Sequence, residues 1–445
     1  MNDRALRVRL ARPGVEGGAR VSDPPTGGSP ALRARQGAVG PDGRTTGVPL
    51  RRRRWWVPVA LFVGIGVLLW LVVGLSAAHL PRTERYPRPE HFPGGPVIEG
   101  WARWDGHWYR TIVREGYAYD PGVQSSVAFF PAYPLVVAAV SSVVPGVWVA
   151  GVLVTAGSGL VAAVAFHRWC ARWLSPSAAA TSVAVLLLYP YAWYLYGAVY
   201  ADALCLAAML VAFVAVERDR VWVAGLAGAV ASGARPVGAV VAVALVARLV
   251  ERRNVERGRV EAGAPLTVGL VRRFSPRGLR RTDLPVLLSV TGFAGYCTYL
   301  WVRFGDPVAF ATVQSAPGWD QGEGWATWTK RFLVEQLVTE PESPFVWAKV
   351  AQGLLALGML ALLPRIARRF GWAYAVLTLG VVLLPLIGTK DFVGTGRYLL
   401  AAFPCAAVAG EWLDARPRTR VVVLAASGLT LAFLASAFAR GHYLA

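Results

Sequence analysis

Charged residues are scarce in this chain: Asp, Glu, Lys and Arg make up 16% of its 445 residues, against 55% hydrophobic ones, and the mean hydropathy is +0.44. A water-soluble globule of this size has no use for so much apolar surface, so lipid must solvate much of it. Acidic groups are the scarcer sign, 26 against 46 Lys and Arg, which leaves a formal net charge of +20. The arginines stand in short runs between apolar stretches, as juxtamembrane anchors do, and are not spread along one groove. That pattern makes membrane lipids a partner and excludes nucleic acid. Cysteine is rare as well: Cys170, Cys205, Cys297 and Cys405 all fall inside or beside apolar stretches, so no disulfides are expected. Lysine is scarce, and with the Ala, Val and Arg bias this points to a high-GC genome and a bacterial plasma membrane. The two halves show no internal repeat, which counts against the common transporter architectures.

Residues 1–50 are rich in Gly, Pro and Arg and lack apolar periodicity. They can bury too little surface to offset their ordering entropy, and the stretch reads as a disordered cytosolic tail. The remainder, 51–445, reads as one multi-span transmembrane domain. Arg51 to Arg54 and the apolar run after them resemble a signal peptide, but the run from Trp55 to Ala78 is about 24 residues long and has no small-residue cleavage site, so it is expected to stay as the first span.

Helix length and the Lys/Arg bias of short loops together set the topology. The first span places the cytosol before Trp55 and delivers a large, nearly neutral loop, 79–146, to the extracytoplasmic side. Within it 127–144 is apolar, but Pro131 and Pro134 break its first turn, and counting it as a crossing would put the basic turn at Arg168 and Arg172 outside; an interfacial or re-entrant helix is expected instead. The following spans fall near 147–169, 178–197, 201–216, 284–302, 345–363, 371–388, 397–413 and 421–438, with a tight hairpin at 221–250 whose outer tip is Ala234, Arg235 and Pro236. The dense Arg clusters, including the basic loop 251–283, then share the cytosolic side. The expectation is an all-α polytopic membrane protein of about eleven transmembrane helices, with the C-terminus outside.

The chemistry concentrates in the first outer loop, which reads WARWDGHWYRTIVREGYAYD. Asp105 stands there among Trp101, Trp104, Trp108 and Tyr109; an interfacial aromatic belt explains the rings but not the carboxylate. A carboxylate at an apolar boundary is partly desolvated, which suits it to take a proton from a hydroxyl. His107 lacks a matching His/Asp pair nearby and is expected to pack or hydrogen-bond rather than hold a metal. Asp202, Arg235 and Arg397 stand at helix ends facing the same side. Each arginine alone reads equally as a snorkelling anchor, but two of them beside Asp105 can grip a phosphodiester in a bidentate manner.

RWDGHWY, followed by GYAY and AFFPAYPL, resembles the signature of the GPI mannosyltransferase 2 family and its bacterial relatives, glycosyltransferases of the GT-C fold. The later YADAL, SGARPVG, FGDPVAF and RYLLAAFP segments are similar to that family in order and spacing, so the resemblance runs over roughly 97–413. The eukaryotic pattern carries His where this chain has Trp108, so a role for that His does not carry over. The resemblance implies a polyprenyl-phosphate-linked sugar donor with mannose as the sugar, an inverting transfer, Asp105 as base, and a glycolipid or other hydroxyl as acceptor. It implies no nucleotide sugar in the site and no cofactor; with Arg235 and Arg397 to neutralise the leaving phosphate, no metal is required. The rival class is a transporter or flippase of lipid-linked sugars. Ion-coupled transport places acidic residues near the bilayer midplane, whereas these carboxylates sit at the outer boundary.

Overall fold

The computed structural model describes residues 56–259, 273–321 and 324–444, and all regular structure among them is helical. The tail 1–50, Arg51 to Arg54 and the middle of the basic loop lie outside the described residues. The principal helices are α1 (Trp56–His79), α2 (Asp105–Glu115), α3 (Ala132–Ser141), α4 (Val147–Trp173), α5 (Pro176–Leu187), α6 (Asp202–Glu217), α7 (Val221–Ala234), α8 (Gly238–Glu256), α9 (Thr291–Phe304), α10 (Pro344–Ala361), α11 (Trp372–Gly388), α12 (Phe403–Asp414) and α13 (Pro417–Ala439).

Among the described residues five helical segments are long and apolar enough to cross a membrane: α1, α4, α10, α13 and the run Arg281–Phe304, a 3-10 stretch leading into α9. Their outward faces are apolar, with Leu68 65%, Val302 80%, Leu354 63% and Leu429 74% exposed. A soluble bundle would bury those side chains, and lipid is the solvent that fits them. With no hydrophobic drive between helices in lipid, close packing of small residues must hold the bundle together. A Cβ on Gly159 of α4 would lie 1.9 Å from the Leu195 carbonyl oxygen, and one on Gly225 of α7 would lie 2.0 Å from that of Pro285. At both places only glycine lets the neighbouring backbone approach.

Local chemistry explains where helices are shorter than the apolar runs that contain them. α3 has 10 residues, about 15 Å at 1.5 Å per residue, half the hydrocarbon thickness. The run 178–197 is interrupted: α5 starts on a Ser175 cap and ends at Leu187, and Pro190 is followed by a 3-10 turn, Ala192–Leu195. The run 397–413 is likewise divided into Thr395–Tyr398, a 3-10 turn and α12, which has Pro404 in its first turn. The hairpin lies where the sequence puts it, with α7 ending at Ala234 and α8 beginning at Gly238.

The basic turns gather at one end of the bundle. Arg248 binds Glu217 at 2.6 Å and Glu251 at 2.9 Å, Arg172 binds Glu217 at 3.0 Å, and Arg253 binds Asp219 and Asp283, each at 2.6 Å. Arg369 bridges the Trp173 carbonyl and Glu411 there. The opposite end carries Asp105, Asp202, Arg235, Arg397 and the last residues of the chain.

Candidate active site

Asp105 opens α2 directly after Trp104, whose backbone is held at φ 52°, ψ −117°. A tryptophan in this region costs about 1 to 3 kcal/mol and persists only where its surroundings fix it. Here they do. The Trp104 N–H donates to the Tyr86 hydroxyl at 2.8 Å, its indole N–H donates to the His442 carbonyl at 3.2 Å, and its ring meets Tyr443 edge-on at 4.8 Å. Arg103, buried beside it, binds Glu99 at 3.1 Å and the Ala439 carbonyl at 2.8 Å, tying the end of α13 under the loop. The sharp turn delivers Asp105 with its N–H donating to the Tyr200 hydroxyl at 3.1 Å and its carboxylate directed at Arg397.

The four polar residues singled out in the sequence form one chain of alternating charge. Arg397 Nη1 donates to Asp105 Oδ2 at 2.8 Å, Arg397 Nε lies 4.0 Å from Asp202 Oδ1, and Arg235 binds that same Asp202 oxygen. Three of the side chains are buried, with 6% to 11% exposed, whereas Asp105 is 23% exposed and forms the open rim. Both arginines therefore already hold carboxylates. Yet not all their donors are spent: Arg397 Nε and the nearby Thr395 hydroxyl are buried and have no hydrogen-bond partner. A cavity of about 10 Å³ among Asp202, Arg235, Arg397 and Tyr398 has room for about one water.

Tyrosines that the sequence reading did not select complete the cluster. Arg397 lies over the rings of Tyr194, Tyr200 and Tyr398 at 5.5, 5.1 and 5.1 Å, and Arg235 lies 4.6 Å from the Tyr398 ring. Rings around a buried guanidinium stabilise its charge, and the Tyr398 hydroxyl also accepts from Arg397 Nη2 at 3.4 Å. Their signal was present in the tyrosine run YPYAWYLYGAVY before Asp202 and in the Tyr after Arg397.

The aromatic residues expected around Asp105 divide. Trp104 and Tyr109 stay near it, Tyr109 buried against Tyr133 and Tyr200, with burial pushing its phenol up. Trp108 turns to Phe129 and Trp319, and Trp101 packs beneath Gly197. His107 sits between the rings of Tyr86 and Trp148; partial desolvation, then the charges of Arg103, Arg110 and Arg85, push it below the ordinary imidazole range. Among the described residues no three His, Cys, Asp or Glu side chains are grouped to hold a metal ion.

The segment before Arg397 is pinned from outside. Lys330 donates to the Thr389 carbonyl, Lys349 binds Asp391 at 2.8 Å, and Gln352 accepts from the Gly396 N–H at 2.8 Å. Burial pushes the Lys330 amine down to about 8, against the attraction of Asp391.

Residues 95–254 match the mannosyltransferase (PIG-V) family, a stretch that contains Asp105, Asp202 and Arg235 but not Arg397. The family resemblance read from the motifs is borne out over that stretch. No curated protein matches the chain significantly. Among solved structures, ArnT from Cupriavidus metallidurans bound to undecaprenyl phosphate is similar at 19% identity, over 83% of this chain and 63% of that one, with a TM-score of 0.45. The same protein in the apo state matches at 20% identity, 83% and 63% coverage and a TM-score of 0.44. The apo oligosaccharyltransferase of Archaeoglobus fulgidus matches at 13% identity, over 88% of this chain and 57% of that one, with a TM-score of 0.42. The chain spans less than two thirds of the length of each of these proteins.

Proposed function

We propose that this chain is a membrane glycosyltransferase that moves a mannosyl group, with inversion, from a polyprenyl-phosphate-linked donor to a hydroxyl of a glycolipid or other acceptor on the extracytoplasmic side. The observation that carries the reading is the contact of a half-open carboxylate, Asp105, with Arg397, whose Nε donor is buried and unspent. The family match across residues 95–254 supports the reaction class.

In this reading the resting ion pair keeps Arg397 charged and in place until the donor arrives. The donor phosphate meets Arg397 through Nε and through the Nη1 it withdraws from Asp105, while Arg235, backed by Asp202 and the Tyr398 ring, contributes a second positive charge. Asp105, released from Arg397, is free to accept a proton. It takes that proton from the acceptor hydroxyl as the oxygen attacks the anomeric carbon, and the bond from that carbon to the phosphate oxygen breaks with its electron pair on polyprenyl phosphate. Charge gathers on the phosphate in the transition state, where two preorganised guanidiniums in a low-dielectric setting act most strongly. The inversion follows from a single displacement with one carboxylate.

The test is incubation of membranes bearing the protein with labelled polyprenyl-phosphate mannose, followed by identification of the labelled product. Label in a glycolipid or protein glycoside supports the reading. Transfer from a nucleotide sugar but not from the lipid donor overturns it.

A further inference from the structure

A groove lies at the end of the bundle opposite Asp105. It has a volume of about 450 Å³ and runs between α4 and α6, closed at one end by the start of α7. Leu160, Val164 and Ala165 of α4 form one wall, and Val211, Val214 and Ala215 of α6 form the other. On each helix these positions recur at helical spacing, so each wall is a continuous apolar stripe. Both stripes end in arginine: Arg168 on α4, Arg218 just after α6, with Arg220 beside it before α7. From Leu160 to Arg168 the stripe is about 12 Å long at 1.5 Å per residue.

We infer that this groove binds one anionic glycerophospholipid of the surrounding membrane, an acyl chain lying between α4 and α6 and the phosphate resting between Arg168 and Arg220. Two observations choose this occupant. The groove opens along lipid-facing side chains, Val161 at 47% and Val223 at 44% exposed, where an apolar chain can enter and a soluble ligand cannot. The mouth is cationic at Arg168 and Arg220, and two nearby carboxylates hold other arginines: Glu217 binds Arg248 and Arg172, and Asp219 binds Arg253. A basic pocket between membrane helices, with an apolar slot below it, complements an anionic headgroup on an acyl chain. The exposed indole of Trp222, 65% accessible, adds an interfacial anchor beside Arg220. Nothing in this inference depends on the chemistry of Asp105.

The test uses the delipidated full chain in detergent, with lipid binding read by native mass spectrometry and by the shift in Tm. Dioleoyl phosphatidylglycerol is expected to bind at least about tenfold more tightly than dioleoyl phosphatidylcholine, a difference of about 1.4 kcal/mol. In the double variant Arg168→Gln/Arg220→Gln that preference should disappear, while the double Lys variant retains it. Val164→Trp, which fills the slot, should weaken both lipids together. Equal affinity of the two lipids for the parent, or an unchanged preference in the double Gln variant whose lipid-free Tm matches the parent, would overturn the inference. So would displacement of phosphatidylglycerol by an equimolar polyprenyl phosphate, which would make the groove a station for the isoprenoid carrier.

Discussion

Both ends of the bundle carry a buried network of arginines and carboxylates, but the two are finished differently. At the basic end Glu217 holds Arg248, Arg172 and the Tyr374 hydroxyl, which in turn accepts from the Trp169 indole at 2.7 Å. Arg253 is clasped by Asp283 through Nε and Nη2, with Asp219 and Glu256 taking what remains. At the Asp105 end Arg397 makes one good ion pair, is surrounded by tyrosine faces, and leaves its Nε donor buried and unused. Charges closed into ion pairs on both sides are architecture, since a buried charge must be paired to exist at all. The Asp105 end has a ring-stabilised arginine, a donor without a hydrogen-bond partner and a carboxylate that is 23% exposed, and the proposed reaction draws on all three.

The comparison breaks at once if the two ends do not face opposite sides of a membrane. With the four native thiols replaced, a cysteine at His442 should react fully with an impermeant thiol reagent in intact cells, and one at Arg257 should react only after lysis. The reverse pattern would place Asp105 in the cytosol and remove the proposed reaction from the extracytoplasmic side. The next largest effect belongs to Asp105. Asn preserves shape but cannot accept a proton, so Asp105→Asn should retain parental Tm and donor binding while transfer slows by at least about 10². Glu217→Ala should do the opposite, costing about 3 to 5 kcal/mol of stability with turnover per folded molecule little changed. Asp306→Asn, which removes a carboxylate held by the Val308 N–H, the Thr312 hydroxyl and Tyr119, is the control and should leave transfer intact. A slowed Asp306 variant beside an active Asp105 variant would move the base elsewhere.

Smaller effects sharpen the contrast. Arg397→Lys keeps the charge but loses the planar fork, and removal of one charge-assisted contact should cost about 1.5 to 3 kcal/mol in kcat/KM. Arg252→Lys, at the other end, should change nothing measurable in turnover. Lys330 offers a pH test. Its amine is held down to about 8 in the folded chain, below the ordinary lysine value of about 10.4. The unfolded chain therefore binds more protons between those values, so this residue's contribution favours folding above about 10.4 and is lost as pH falls through about 8. Parental Tm measured against Lys330→Met should accordingly fall in relative terms from pH 10 to pH 8; a constant difference would show that Lys330 is not desolvated. The smallest effect is expected from deletion of residues 1–45 with Arg51 to Arg54 kept, which should leave turnover nearly unchanged.

Much of the fold was legible because lipid imposes a one-dimensional code. Apolar runs of the right length and the placement of arginines marked α1 to within one residue at each end and α4 and α13 to within four, as well as the α7–α8 hairpin with Arg235 at its tip. Where that code failed, proline was responsible: Pro190 and Pro404 divide runs that hydropathy alone reads as continuous. The site was half legible. Asp105 stood out as a carboxylate among rings, and Asp202, Arg235 and Arg397 as charges at helix ends. Asp105 and Trp108 stand three residues apart on one helix, yet the Trp108 ring packs on Phe129 and Trp319, because segments from elsewhere in the chain supply its nearest surfaces.

The sequence by itself determined the solvent of this protein, its helical class and the short list of polar groups that could do chemistry, because composition, periodicity and local charge are properties of a single stretch of chain. Only the tertiary structure decided which of those groups meet. Asp105 and Arg397 are 292 positions apart, and their contact depends on the turn at Trp104, on the His442 carbonyl that holds its indole, and on the pinned segment 389–396. The same is true of the groove between α4 and α6, where two apolar stripes acquire a common cationic mouth only after helix packing brings them side by side. Pairings of that kind follow from the way surfaces fit across space, and no local pattern in the chain encodes them.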